Sequence, residues 1–316
     1  MKRSVVAGLL TVMVVSGFAC GQTEPPPGPP RVGSINYIEG QTVLNNQALS
    51  PTSAGSVALE GGQLLTTHTG RAEVLLTPGI FLRIAENSSV KMISPDLANT
   101  SVQLLQGRAM VEVLDIHKEN NVRVNLDDVS VQLVNKGLYD FDADHHEIRV
   151  FKGTARVYTG KQNIKLTGNH ELALTTGGKL TPHGFDSRPY EDAFFLWSAL
   201  RSGYLSEAGV DTARTYIGVG PGWYGPNWYG PGWYWDPWFG AWTFVPASGI
   251  FYSPFGWGFY SPIIVYRSPF FYYGYWGHGP HRFEDFHAPY GHGFEPSGGF
   301  HGGGFHGGSP SGGVPR

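Results

Sequence analysis

The chain has 316 residues, a formal net charge of −3 at pH 7 and a pI near 6.4. This length allows one or two domains, and the nearly balanced charge excludes the basic surface of a nucleic-acid-binding protein. Charged residues make up 15% of the chain, whereas glycine occurs 45 times and aromatic residues reach 14%. Because Cys20 is the sole cysteine, no disulfide can form within the chain, and a hydrophobic core must stabilise it.

The N-terminal segment has the layout of a secretory signal peptide. Lys2 and Arg3 precede a mostly apolar run over residues 5–18, and small residues follow at 19–21. A membrane-spanning helix needs about 20 apolar residues, and this run is shorter and interrupted by glycine, serine and threonine. The sequence therefore predicts export, with residues 1–20 as a cleaved signal peptide.

The end of this segment, Gly17-Phe18-Ala19-Cys20, resembles the lipobox of bacterial lipoproteins. The resemblance implies lipidation of the Cys20 thiol, which would become the mature N-terminus. Alternatively, Cys20 is a small apolar residue and ordinary signal peptidase cleaves after Ala19. Both alternatives predict a protein of the periplasm or outer membrane. Residues 21–31 are rich in proline and are expected to form an extended tether.

Residues 32–181 are predicted to form an all-β domain, sandwich- or solenoid-like, of many short hairpin-linked strands. Runs rich in valine, leucine, isoleucine and threonine alternate apolar with polar residues, which gives each strand one buried face. Glycine between the runs supplies the positive φ of tight turns. The glycine-containing pairs are Glu39-Gly40, Gly61-Gly62, Pro78-Gly79, Gln106-Gly107, Lys136-Gly137 and Lys152-Gly153.

Alternation also predicts which side chains share a face within this domain. One strand is expected to place alternate residues on opposite faces, with Ala109, Val111 and Val113 on one and Met110, Glu112 and Leu114 on the other. Two further strands are expected to pair across the Lys152-Gly153 turn, which would bring Ile148 and Val150 against Ala155 and Val157.

A docking helix is predicted over residues 186–209. Asp186 or Ser187 can cap it, Pro189 fits its first turn, and Gly209 can end it. The helix is expected to dock on the β-domain through an apolar stripe made of Trp197, Leu200 and Tyr204.

Several segments of the β-region resemble a FecR-type domain. They are RVGSINYIEGQTVL at 31–44, the stretch 59–92, SVQLLQGRAMVEV at 101–113, VSVQLVNKGLYDFDAD at 129–144 and IRVFKGTARVY at 148–158. The helix EDAFFLWSALR and the later segments GAWTFVP and FYSPFGWGF are similar to the C-terminal regions of exported proteins with this domain. The resemblance implies an all-β envelope domain with a sensing or regulatory role.

The best-known members of that family relay outer-membrane iron-uptake signals to a sigma factor. Such a relay needs a cytoplasmic domain and a transmembrane helix, whereas here only Met1 to Ser4 precede the apolar run. We therefore expect a non-enzymatic binding or scaffolding protein of the envelope. The alternative is a sensing module that acts through a separate transmembrane partner.

The search for catalytic motifs finds no Gly-x-Ser-x-Gly elbow, phosphate-binding loop or His-Glu-x-x-His pair, and we predict no enzymatic activity and no cofactor. The most suggestive cluster is DFDADHHE at 140–147. Asp140, Asp142 and Asp144 have the spacing that begins a calcium loop, but His145 and Phe151 occupy the positions that need glycine and an acid. The cluster is therefore interpreted as a polar hairpin with an acidic outer face, and no metal site is predicted.

Residues 218–277 form a Trp/Tyr/Pro-rich region in which Asp236 and Arg267 are the only charged residues. The unit Gly-Pro-(Gly/Asn)-Trp-Tyr occurs three times in succession over 220–234. Short strands are expected at 242–245 and 263–266. The aromatic rings of the repeat that could stack on a ligand are Trp223, Tyr224, Trp228, Tyr229, Trp233 and Tyr234.

Three roles remain open for this region. Its rings can pack over the β-domain, stack on an envelope polysaccharide, or lie at a membrane surface. An envelope protein is a further candidate partner. The last segment, residues 278–316, is rich in glycine and histidine and is expected to be disordered. Its histidines could bind a metal, but their irregular spacing favours a plain low-complexity tail.

Overall fold

The computed structural model describes residues 27–160, 162–174, 180–216 and 228–268. The predicted signal peptide with Cys20, the start of the tether, Trp223, Tyr224 and the Gly/His-rich tail lie outside the described residues. None of the helices within these ranges is both long enough and apolar enough to cross a membrane.

The β-domain contains seventeen strands within the described residues. The first nine are β1 Ile35–Glu39, β2 Thr42–Leu44, β3 Gln47–Leu49, β4 Leu64–Thr67, β5 Arg71–Leu75, β6 Ile80–Ile84, β7 Ser89–Pro95, β8 Thr100–Gln106 and β9 Arg108–Val113. The next eight are β10 Arg123–Leu126, β11 Val129–Leu133, β12 Gly137–Asp142, β13 Glu147–Lys152, β14 Thr154–Thr159, β15 Gln162–Thr167, β16 His170–Ala173 and β17 His183–Gly184. Short 3₁₀ turns occur at Pro51–Ser53 and Arg188–Tyr190.

These strands form two sheets. The first sheet has the order β1-β5-β6-β9-β12-β13-β16-β17, and the second has the order β15-β14-β11-β10-β8-β7-β4-β2-β3. Neighbours are antiparallel except β8 and β10, which run parallel. The main hydrophobic core lies between the sheets, because inward side chains of both contribute to it, among them Val111 and Tyr139 of the first and Val124 and Val157 of the second. The predicted all-β sandwich is thus confirmed.

The faces of β9 are as expected, and so are most of the predicted turn glycines; Gly137 is the exception, because it begins β12 without a positive φ. Positive φ occurs at Gly40, Gly62, Gly79, Gly107 and Gly153. The alternating side chains of β9 enter different clusters. Ala109, Val111 and Val113 belong to the core between the sheets, while Met110 and Leu114 belong to clusters on the outer side of the first sheet.

The predicted pairing across Lys152-Gly153 is wrong. Ile148 lies opposite Phe141 of β12 and Leu172 of β16, because β13 belongs to the first sheet. Strand β14 belongs to the second sheet, where it pairs with β11 and β15. Gly153 therefore carries the chain from one sheet to the other. Its φ of 103° and its closeness to the Tyr139 hydroxyl leave no room for a side chain.

Helix α1 spans Ala193–Thr215, which corrects the predicted range of 186–209. Asp192 caps the helix instead of Asp186 or Ser187, because its carboxylate accepts hydrogen bonds from the Phe194 and Phe195 amides. Gly209 lies inside the helix. A Cβ there would lie 3.3 Å from Thr243 Oγ1, so the missing side chain lets the helix approach its neighbour closely.

The predicted docking stripe is only partly correct. Trp197 is buried, but Leu200 and Tyr204 are 46% and 41% exposed. The face of α1 that is buried instead carries mostly small or polar residues, because the surface below it contains charged side chains and closely approaching backbone. Its members include Ser198, Arg201, Ser202, Leu205, Ser206, Gly209 and Ala213.

The rest of the described chain packs on α1 and on the outer side of the first sheet. It contains β18 Gly232–Asp236, β19 Ala241–Val245, β20 Ile250–Tyr252, β21 Gly258–Tyr260 and α2 Pro262–Arg267. The strand expected at 242–245 is confirmed as β19, whereas 263–266 is helical because Pro262 favours the first turn of a helix. We call α1 and residues 228–268 together the cap. Phe244 and Phe259 of the cap pack against Phe81 and Leu114 of the β-domain.

Candidate functional site

A buried network of charged groups lies between the first sheet and the cap. Glu73 of β5 is at its centre, with one carboxylate oxygen 3.0 Å from Arg83 Nε and the other 3.0 Å from Arg201 Nη2 of α1. Asn36 Nδ2 donates a hydrogen bond to the same carboxylate at 2.9 Å. Burial acts to raise the pKa of Glu73, but Arg201 and Arg83 outweigh it and hold the pKa below its ordinary value.

Glu112 extends this network along the sheet. Its carboxylate lies 2.7 Å from Arg83 Nη1 and accepts hydrogen bonds from Ser202 of α1 and Ser253 of the cap. Glu73, Arg83 and Glu112 are all fully buried. Charges removed from water gain little net stability from pairing, but they tolerate few alternative arrangements. The network therefore links the cap to the sheet through Arg201, Ser202 and Ser253.

An open, charged cleft of about 500 Å³ lies at the end of the first sheet beside this network. The end of β12 with Asp142, and the turn that follows it with Asp144, form one wall. The start of β9 and the segment before α1 form the others. The lining residues are Glu86, Gly107, Arg108, Asp142, Asp144, His145, Glu147, Arg149, Tyr190 and Asp192.

Asp140 lies beneath the cleft and is fully buried. Its two carboxylate oxygens lie 2.7 Å from Arg108 Nε and 3.1 Å from Arg149 Nη1. Burial raises the pKa of Asp140, and the two guanidinium groups oppose this shift. The predicted acidic outer face is therefore wrong for Asp140 and Asp142, which are both buried, because the segment before α1 covers this side of the sheet. Asp144 is exposed, as expected.

Both arginines of the cleft are held in place by further carboxylates. Arg108 Nη1 pairs with Asp192, the residue that caps α1, and Arg149 pairs with Glu147. Burial acts to lower the pKa of Arg108, but Asp140 and Asp192 outweigh it and raise the pKa. The Arg149 guanidinium also lies 4.1 Å from the centre of the Tyr190 ring. Each arginine of the cleft is thus already neutralised by carboxylates.

The cleft has the charge of a cation-binding surface. Five carboxylates line it against two arginines, so its rim is net negative. Within the described part of the chain, no group of three or more histidine, cysteine or acidic side chains is placed to hold a metal ion. An acidic rim of this kind can receive a positively charged group of another molecule.

The family model FecR, described as FecR protein, matches residues 62–156. The chain carries a FecR domain. The match begins just before β4 and ends within β14, so it contains Glu73, Arg83 and Glu112 of the buried network. It also contains Arg108, Asp140 and Arg149 of the cleft.

Two crystal structures similar to this chain are both named "putative anti-sigma factor from Parabacteroides distasonis". They share 16% and 15% sequence identity with it, at TM-scores of 0.34 and 0.35. The aligned regions cover 39% and 44% of this chain, and 59% and 63% of the two solved chains. The chain therefore spans less than two thirds of each of those structures. The comparison with curated proteins found no match.

The aromatic candidates of the repeat occupy different environments on the cap of the FecR domain. Trp233 packs edge-on against Phe81 of the sheet, with ring centres 4.9 Å apart. Tyr234 is buried and donates a hydrogen bond to the Gly230 carbonyl at 2.6 Å. Trp228 stacks on Tyr234 at 5.1 Å, and Tyr229 is 86% exposed.

The sequence interpretation missed the network under the cap of the FecR domain. Its signal was present, because Glu73, Arg83 and Glu112 each stand among apolar residues in strands that are buried on both faces. A charge in such a strand must be paired, and its partners must come from whatever covers the sheet. Arg201 was one such partner on the predicted docking helix.

Proposed function

We propose that the protein is an exported, non-enzymatic binding protein of the cell envelope, in which the FecR domain serves as a regulatory module. In this proposal the charged cleft binds a positively charged segment of an envelope protein. A separate transmembrane protein is the favoured partner, since it could carry the signal onward. The observation that carries the proposal is the net acidic cleft built on Arg108, Asp140 and Arg149 of the FecR domain.

The arrangement of the cleft supports binding more than chemistry. Arg108 and Arg149 are already neutralised by buried or nearby carboxylates, so the walls need little reorganisation when a partner binds. Among the rim carboxylates, Asp144 is exposed, and Glu86 is exposed although it pairs with Arg71, so both can meet a partner. The layout of the N-terminal segment supports a location in the periplasm or at the outer membrane.

The test is cross-linking in intact cells, followed by purification of the tagged full-length protein. The variant Glu86→Gln/Asp144→Asn removes two rim charges but keeps an oxygen that can accept the hydrogen bond from the Gly107 amide. The control Glu60→Gln/Glu119→Gln makes the same charge change at exposed residues outside the cleft. We expect the wild type and the control to recover one membrane-spanning protein, and the cleft variant to lose most of it.

If the cleft variant and the control recovered that protein at equal levels, the cleft would not be the binding site of the partner. Recovery of no membrane-spanning protein by the wild type would overturn the signalling role itself.

A further inference from the structure

The outer face of the second sheet is electrostatically unlike the rest of the β-domain. None of its nine strands, as described, contains an aspartate or a glutamate, whereas several strands of the first sheet do. Four neighbouring strands, β10, β11, β14 and β15, turn polar side chains outward, and eight of these lie side by side across the strands. We call this set the cationic face: Arg123, Asn125, Ser130, Gln132, Arg156, Tyr158, Asn163 and Lys165.

The positive charges of the cationic face have no carboxylate partner among the described residues. Arg71, Arg83, Arg108 and Arg149 of the first sheet are all ion-paired. In contrast, Arg123, Arg156 and Lys165 form no ion pair with any residue of the described ranges. The charge of this face is therefore available to a partner.

The strand register arranges these side chains in two parallel rows. One row places Arg123 opposite Gln132, Gln132 opposite Arg156, and Arg156 opposite Lys165. Strands in a sheet are about 4.8 Å apart, so this row is about 14 Å long. The second row, two residues along each strand, consists of Asn125, Ser130, Tyr158 and Asn163. A linear polymer lying across the strands would meet cations beside hydroxyl and amide groups.

Part of the cationic face is already held in position. The Arg123 guanidinium lies 5.1 Å from the centre of the Tyr158 ring, and its Nε donates to Asn121 Oδ1 at 3.0 Å. The Tyr158 hydroxyl donates to Gln132 Oε1 at 3.1 Å. Side chains that are ordered before binding lose less conformational entropy when a ligand arrives.

We propose that the cationic face binds an acidic polysaccharide whose sugar units carry carboxylate groups. Arginine matches the geometry of carboxylates, and serine, asparagine and glutamine can bond to sugar hydroxyls. A nucleic acid fits less well, because the chain is net negative and this face has only three cations. A membrane surface also fits less well, because none of the eight side chains is aliphatic and able to insert.

This inference does not depend on the charged cleft, which lies on the first sheet. Its test measures binding of the mature full-length protein to alginate, a polymer of uronic acids. Neutral dextran, single-stranded DNA and phosphatidylglycerol vesicles are measured alongside. Arg156→Gln/Lys165→Gln removes two exposed charges that lie opposite each other in the register. Arg31→Gln/Arg188→Gln is the control, with the same charge change at exposed residues elsewhere.

We expect binding to alginate that weakens with added salt, and no binding to dextran. Loss of two charge-assisted contacts should weaken alginate binding about tenfold or more in Arg156→Gln/Lys165→Gln. The control should bind alginate like the wild type, and so should Glu86→Gln/Asp144→Asn. The proposal is overturned if alginate does not bind, if both arginine variants weaken it equally, or if DNA or vesicles bind more tightly than alginate.

Discussion

Asn36 of β1 holds both backbone groups of Trp242, which lies 206 residues farther along the chain. Its Nδ2 donates to the Trp242 carbonyl at 2.9 Å, and its Oδ1 accepts from the Trp242 amide at 2.8 Å. The Asn36 side chain thereby makes the two backbone hydrogen bonds that a neighbouring strand would otherwise make with β19 of the cap. Since Asn36 also donates to Glu73, the cap and the buried charge network share this one side chain.

Replacing Asn36 by alanine should loosen the cap. The change leaves a buried amide and a buried carbonyl of Trp242 without partners, and each such loss costs about 1–3 kcal/mol. We expect a lower free energy of unfolding for Asn36→Ala in urea, followed by tryptophan fluorescence. The control Asn163→Ala removes an exposed asparagine and should unfold like the wild type. Equal stability of the two variants would mean that these hydrogen bonds do not hold the cap.

Replacing Glu73 by glutamine should destabilise the protein in a pH-dependent way. The change leaves Arg83 and Arg201 buried without their shared carboxylate, which costs about 3–5 kcal/mol at pH 7. The pKa of Glu73 is held below 4.5 in the folded state, so its stabilising effect is present above that pH. The effect is lost as the pH falls through the folded-state pKa.

The gap in unfolding free energy between wild type and Glu73→Gln should therefore narrow below pH 4.5. Chemical unfolding at a series of pH values measures it. Glu60→Gln, at an exposed glutamate, should show no such gap. A gap that stays constant down to acidic pH would contradict the lowered pKa.

Replacing an aromatic residue of the cap should lower the stability of the protein only where that residue is buried. Phe244 is buried against the sheet, and truncating it to alanine should cost about 3–5 kcal/mol. Trp238 is 84% exposed, so Trp238→Ala should change stability little. Thermal unfolding of both variants measures the difference. If Phe244→Ala melted like the wild type, the cap would not be docked on the FecR domain.

Gly153 should not tolerate a side chain. A Cβ there would lie 2.4 Å from the Tyr139 hydroxyl, on a backbone whose φ is 103°. Gly62 is a matched control, because its φ is 84° and a Cβ there would meet nothing within 4 Å. Gly62→Ala should therefore cost only the backbone strain, about 1 kcal/mol, and Gly153→Ala clearly more. If the two variants melted at the same temperature, the contact with the Tyr139 hydroxyl would not add to the destabilisation.

Local signals in the sequence predicted the β-domain well. Alternation along β9 and the positive φ of turn glycines depend on neighbouring residues alone; the first is confirmed, and the second is confirmed for five of the predicted glycines but not for Gly137. The partner of β13 could not be predicted in this way. The turn at Gly153 has the composition of a hairpin, but the two strands that it joins belong to different sheets. Only contacts distant in sequence decide between these outcomes.

The same limit applies to the helix and the cleft. Glycine often ends a helix, and the sequence predicted a helix end at Gly209. In the structure Gly209 lies inside α1, where it allows close packing against Thr243. The aspartates of β12 were visible as a cluster, but pattern alone predicted an exposed face for Asp140. Asp140 is buried because the segment before α1 covers it, and Arg108 and Arg149, which neutralise it there, are brought to it by sheet pairing.

Asp236 is a buried acid whose removal should stabilise the folded protein at neutral pH. Its carboxylate accepts hydrogen bonds from the amides of Trp238 and Phe239 at 2.9 and 3.0 Å. Burial raises its pKa above 3.8, and the negative charge of Asp211 adds to the shift. The folded state thus binds the proton more tightly than the unfolded state, so stability falls as the pH rises from 3.8 through the raised pKa.

Asparagine at this position keeps an oxygen for both amides and removes the buried charge. We expect Asp236→Asn to melt at a higher temperature than the wild type at pH 7, with the difference vanishing below pH 3.8. Asp96→Asn is the control, because Asp96 accepts from the amides of Ala98 and Asn99 in the same way but is exposed. A lower melting temperature for Asp236→Asn at pH 7 would mean that the ionised carboxylate stabilises the cap, since its hydrogen bonds would then outweigh its burial.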